Sequence, residues 1–201
     1  MNRQRNIGWL ASISVLLVGA MLSVACGGGG GNTVTPPGLS ASWTPANANP
    51  GAMTLSMGAA SASGSNFSVP VQVTGIDDFF GTAFRVNFDA ATAAFSGFSA
   101  VGSVIDDGGA VVLISATLGN PGEVLVFATR QQGQGGVYVP GVDINATSTL
   151  ITLNFRALTA TGANTFTFSN RQVEACNDGT QTCSDIPDVN LTWSGGTMRA
   201  N

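Results

Sequence analysis

Few residues in this chain are equipped for chemistry. The sequence holds no His and no Lys, its seven basic residues are all Arg, and only Glu123 and Glu174 join the Asp residues among its eleven acids. A Ser-His-Asp or Cys-His unit is therefore excluded, as are a His-ligated zinc site and a Lys Schiff base. Paired Asp carboxylates, as in some glycosidases, are the acid–base device that remains. Asp77-Asp78 and Asp106-Asp107-Gly108-Gly109 are acidic runs, but calcium needs roughly six to eight converging oxygens and neither run has the spacing of a calcium loop. Both read as solvated turns. Asp89 reads as a strand end whose carboxylate accepts amides of the next turn. The expectation is a protein that is not an enzyme, with no cofactor and no metal.

Three cysteines, Cys26, Cys176 and Cys183, make an odd number. Arg3 and Arg5 precede an apolar run from Ile7 to Val24 that closes on Leu22-Ser23-Val24-Ala25-Cys26, the layout of an export signal. A stop-transfer helix is the rival reading; against it, no basic flank follows and the chain runs into Gly27 to Gly31. The end of the signal resembles the lipobox of bacterial lipoproteins, with Ser23 standing where Leu is usual. That resemblance implies removal of residues 1–25, a lipid on Cys26, and a place in the cell envelope, at the outer membrane or cell surface. Ser23 and Ala25 also suit an ordinary signal peptidase. With Cys26 assigned to lipid, Cys176 and Cys183 are left as a pair for an oxidising compartment. The polar loop between them reads as a structural staple, since a redox pair has tighter spacing and positive charge nearby.

The mature chain would carry five Arg against eleven acids, a net charge of −6. Nucleic acid and anionic lipid surfaces are poor partners for it. Stacking on sugar rings would fall to Tyr138, Trp43 and Trp193. Trp193 sits in a strand pattern and reads as core; Trp43 either docks on the domain or stands exposed. Tyr138 lies in Gln131 to Asn145, a long Gly- and Gln-rich segment, and long loops in compact domains are functional or mobile. Gln132, Gln134, Tyr138 and Asp143 are therefore the candidate contact residues.

The elements that must position these residues are strands. Residues 26–52 are rich in Gly, Pro, Ser, Asn and Thr and read as a flexible tether. From Met53 the pattern turns to short alternating runs: Met53-Leu55-Met57, Phe67-Val69-Val71-Val73, Phe84-Val86-Phe88, Ile151-Leu153-Phe155, Phe166-Phe168, and a last strand near Leu191 to Trp193. Val111–Thr117 and Val124–Thr129 are more continuously apolar, as strands buried on both faces are. Period-two alternation broken by Gly, Asp, Asn and Pro means β-structure. The expected fold is an all-β, two-sheet sandwich of about nine strands over residues 53–198. Pro70 cannot donate to a ladder, which predicts an edge strand or a bulge at Phe67–Val73.

The run Val69-Pro70-Val71-Gln72-Val73-Thr74-Gly75-Ile76, then Gly81, then Phe84-Arg85-Val86-Asn87-Phe88-Asp89, resembles the opening of cohesin-type domains. Thr149 to Ala157, followed by Gly162 and Phe166-Thr167-Phe168, resembles their closing strands. Ala90 departs from the pattern, where Pro often follows the Asp, and so does the Cys-bearing loop. The resemblance implies a jelly roll related to some carbohydrate-binding modules, docking a dockerin-bearing or other extracellular protein through one sheet face. A polysaccharide is the alternative ligand of the same fold.

Overall fold

The computed structural model describes residues 38–201; the signal, Cys26 and the first part of the tether lie outside these residues. The described strands are β1 (Ala41–Pro45), β2 (Thr54–Met57), β3 (Ser61–Ser63), β4 (Asn66–Thr74), β5 (Ile76–Asn87), β6 (Ala93–Ser99) and β7 (Val112–Leu118). They continue as β8 (Glu123–Arg130), β9 (Val142–Ile144), β10 (Ser148–Ala157), β11 (Thr161–Asn177), β12 (Thr182–Asp185), β13 (Thr192–Ser194) and β14 (Gly196–Ala200). One sheet runs β1-β14-β11-β5-β8-β7, with β12 beside β11 and β9 beside β5. The other runs β13-β2-β4-β10-β6, with β3 beside β4. Among the described residues no helix is long and apolar enough to cross a membrane.

The sandwich forms because period-two alternation gives each sheet one apolar face to bury. Leu55, Phe67, Val71, Leu153 and Phe155 come from one sheet, and Phe79, Val86, Val126, Phe166 and Met198 from the other; all are buried. At one end the core is aromatic. Phe155 is ringed by Phe67, Phe88, Phe95 and Phe166 at centroid distances of 5.0–5.6 Å. Asp89 closes β5 as expected, its Oδ1 accepting the Ala91 amide at 2.9 Å, while Asn164 bonds to both backbone groups of Asp89.

The all-β sandwich matches the expectation, and the differences have local causes. Strand segments are more numerous than nine because three- to five-residue stretches such as β3, β9, β12 and β13 pair briefly along longer partners. The tether does not extend to Ala52: β1 pairs with β14 from Ala41↔Ala200 to Pro45↔Gly196, so the final strand also runs past residue 198. Trp43 anchors β1 in the core, its ring against Phe67 and Phe166 and its Nε1 donating to the Gly58 carbonyl at 2.9 Å. Pro70 lies on an interior strand, paired to Thr152 of β10. On its other side β2 ends opposite Val71 and β3 begins opposite Ser68. The missing N–H thus faces a break between two partners, where the Pro70 carbonyl still accepts the Gly58 amide at 2.8 Å.

Candidate functional site

The 131–145 segment folds back on the sandwich. Gln132 accepts the Val139 amide at 2.7 Å and turns its Nε2 toward Cys183 Sγ at 3.4 Å. The Tyr138 hydroxyl donates to the Asn177 carbonyl at 2.7 Å. Asp143, within β9, accepts the Asp78 amide at 3.0 Å, which holds Asp78 in a left-handed conformation. Loss of hydration, then the charges of Asp78 and Asp178, hold the Tyr138 phenol above its ordinary pKa. Three of the four candidates therefore hydrogen-bond to other parts of the chain around the β11–β12 hairpin, with Gln132 and Asp143 still exposed, and Gln134 is exposed on a short turn.

Cys176 and Cys183 form a disulfide directly across that hairpin. Glu174 lies within 4.8 Å of both sulfurs, but a disulfide offers no thiolate to a metal. The aromatic residues do not assemble a sugar platform either. Trp193 is packed against Phe84 and Phe168 beneath the Arg171 guanidinium, Trp43 is half-buried against the core, and Tyr138 lies on the loop.

A different surface stands out. The outward residues of β5, β8, β7 and β11 line up in register: Ala83 opposite Phe127, Arg85 opposite Leu125, Ser115 opposite Phe127, and Gln172 opposite Ala83. On β8 Leu125 and Phe127 are each 41% exposed, and Leu113 on the edge strand β7 is 47% exposed. Two shallow depressions adjoin at Ala83 and Phe127, one of about 410 Å³ reaching Thr117 and Asn170, the other of about 220 Å³ reaching Gln172 and Glu174. Asn170 reaches the first because β11 bulges between Ser169 and Gln172, placing Asn170 at φ 46°. Asn tolerates that conformation better than most residues, and a bulge re-aims side chains. The rim is polar, with Arg85 and Glu123 paired at 2.9 Å.

The expectation that β7 and β8 are buried on both faces is therefore corrected. Their second apolar row faces outward, and the signal was present in the sequence. A run such as Val124-Leu125-Val126-Phe127, apolar in both registers on an antiparallel sheet, leaves one apolar row uncovered by its own fold. An exposed apolar row flanked by polar and paired charged side chains is a common anatomy of protein-binding patches.

The fold and this face define an all-β sandwich domain with one exposed apolar row on its larger sheet. The cohesin domain family model matches residues 53–192, and the chain belongs to that family. Among solved structures it is similar to the seventh ScaB type I cohesin of Pseudobacteroides cellulosolvens, at 14% identity and TM-score 0.52, covering 78% of this chain and 89% of that one. It is also similar to the sixth cohesin of Acetivibrio cellulolyticus scaffoldin B, solved in complex with a Cel5 dockerin, at 18% identity and TM-score 0.47, covering 80% and 96%. A non-cellulosomal cohesin of the archaeon Archaeoglobus fulgidus matches at 13% identity and TM-score 0.45, covering 78% and 88%. No curated protein matches the chain.

Proposed function

We propose that this protein is a non-catalytic recognition module, held at the cell envelope by lipid on Cys26, that docks a dockerin-like partner protein on the outward face of β5, β8 and β7. The observation that carries the reading is the exposed apolar row of that face, Leu125 and Phe127 on β8 with Leu113 on the edge strand β7, bordered by the Arg85–Glu123 ion pair. Membership of the cohesin family supports a protein partner. Burying large apolar side chains in a desolvated centre is how a few residues come to dominate an interface.

The test is affinity capture from the secreted fraction of the producing organism with the wild-type domain and its Phe127→Asp and Leu125→Asp variants. The wild type should recover a defined protein partner, and each Asp should weaken binding by about 2 kcal/mol or more. Recovery unaffected by either substitution, or a clear glycan-array signal with no protein partner, would overturn the proposal. Metabolic labelling with a fatty-acid analogue, lost on Cys26→Ala, tests the anchor.

A further inference from the structure

The four outermost strands of the two sheets differ in how they end the sheet. The five-residue β1 stops at Pro45, and its Ala41 amide is taken by the Gly64 carbonyl. The three-residue β13 is too short to template much pairing. Along β6 the register with β10 shifts at Gly97, which adopts φ 133°. Short edges, prolines and bulges are the devices that keep sheets from joining edge to edge. β7 has none of them. Its seven residues, Val112-Leu113-Ile114-Ser115-Ala116-Thr117-Leu118, carry no charge, no Pro and no Gly, and they pair with β8 without a shift from Val112↔Arg130 to Leu118↔Val124.

The hydrogen bonds at its two ends say which groups are free. The Val111 carbonyl accepts the Gln131 amide, and the Gly119 amide donates to the Glu123 carbonyl, both toward β8. Residues on an antiparallel strand alternate in the side to which they bond. The backbone groups of Val112, Ile114, Ala116 and Leu118 therefore point away from β8, at the edge of the sheet.

We propose that this edge pairs with the same edge of a second copy of the chain, antiparallel about a two-fold axis through Ser115. In that register Val112 faces Leu118 and Ile114 faces Ala116, so every outward-pointing residue finds a partner, giving about eight new backbone hydrogen bonds. Registers centred on Ile114 or Ala116 leave a residue at one end without a partner. The charge pattern favours a second copy. The seven residues of β7 carry no charge, and of the acids flanking it Glu123 is paired to Arg85 and Asp107 to Arg130, each at 2.9 Å, while Asp106 has no ion pair among the described residues. Two copies therefore meet along β7 itself without opposing charges. An apolar depression of about 180 Å³ lined by Phe88, Phe95 and Leu118 opens at one end of the edge, where the second copy's Val112 would arrive opposite Leu118. Both termini of the domain lie at the other edge of this sheet, through β1 and β14, so a tether there leaves β7 accessible. The pairing does not depend on docking at the outward face.

The test is oxidative cross-linking of the full chain on a Cys26→Ala background. Ser115→Cys should give a disulfide dimer, because Ser115 meets itself at the axis. Leu113→Cys should not, since Leu113 comes to face Thr117. Sedimentation across about 1–100 µM, the range expected of a modest interface, should show a concentration-dependent dimer. Ser115→Lys should weaken it about tenfold or more by opposing like charges, and Ala116→Pro should abolish it by removing an edge N–H that β8 does not use. Phe127→Asp should leave the dimer intact. A monomer throughout with no Ser115→Cys cross-link would overturn the proposal, including the case in which the edge takes a strand from another protein. So would a dimer that neither Ser115→Lys nor Ala116→Pro disturbs, or equal cross-linking at Leu113→Cys.

Discussion

Replacing Phe155 by Ala should come close to unfolding the domain. Phe155 is 1% exposed, and its ring has four aromatic neighbours: Phe166 at 5.0 Å, Phe88 at 5.4 Å, Phe67 at 5.5 Å and Phe95 at 5.6 Å. Burying a Phe and then truncating it costs about 3–5 kcal/mol. Edge-to-face and stacked pairs add about 0.5–1.5 kcal/mol each beyond area, which places Phe155→Ala at the top of that range, about 5 kcal/mol. Domains of this kind hold only about 5–15 kcal/mol in total. Phe98, opposite the neighbouring Leu153 but 38% exposed, is the control, and Phe98→Ala should cost under about 1 kcal/mol. Urea unfolding followed by tryptophan fluorescence reads both, since Trp43 packs against Phe67 and Phe166 in the same cluster. Phe155→Leu, at about 1–2 kcal/mol, keeps the comparison measurable if the Ala variant does not fold. A Phe155→Ala loss under about 2 kcal/mol, or an equal loss at Phe98, would refute the picture of a shared aromatic centre.

Reducing the Cys176–Cys183 bond, or replacing both residues by Ser, should cost about 2.5 kcal/mol for a loop this short, read by thermal melts with and without reductant. Gly141→Ala should destabilise by about 1–3 kcal/mol, because a Cβ there would overlap the Asp78 carbonyl; hydrogen exchange should show the 131–141 segment loosened first. Asp107 is held below its ordinary pKa by the Gly109 amide and then by Arg130. Its folded value lies below its unfolded one, so the stabilisation is present above about pH 4 and is lost as pH falls through the folded value. The stability gap between wild type and Asp107→Asn should therefore close in acid, and a gap that widens would contradict the assignment. Asp107 is the neighbour of a buried cation: Arg130 is 4% exposed, and it also donates to the Ile105 carbonyl at 3.1 Å. Arg130→Met should accordingly loosen the β6–β7 connection, visible as faster amide exchange over residues 100–111.

The sandwich was legible where one face of a strand is buried and the other polar, as in β4, β5 and β10, because alternation then reports burial directly. It failed in β7 and β8 for the reason that makes them interesting: Leu113, Leu125 and Phe127 are apolar without being core. β1 has no local strand signature, because Ala41-Ser-Trp-Thr-Pro45 becomes a strand only through β14, more than 150 residues away, and no local pattern carries that pairing. Trp43 was the local hint, a large ring in an otherwise small-residue stretch. The loop candidates Gln132, Tyr138 and Asp143 were polar residues in an irregular segment, and composition alone does not say whether such groups face solvent or satisfy the backbone beneath them.

The amide of Ser40 donates to the carbonyl of Asn201, and the amide of Asn201 donates back to Ser40. The two ends of the domain thus meet at the free end of the β1–β14 ladder. Pulled apart at these points, the ladder would open as a zipper, one pair after another, each step resisted by on the order of 1 kcal/mol. Load entering at Ser40 and leaving through Phe127 instead has to cross β14, β11 and β5 before it reaches β8. Links in series are no stronger than the weakest, so from Ser40 to Phe127 the domain resists load only as far as its β1–β14 ladder holds.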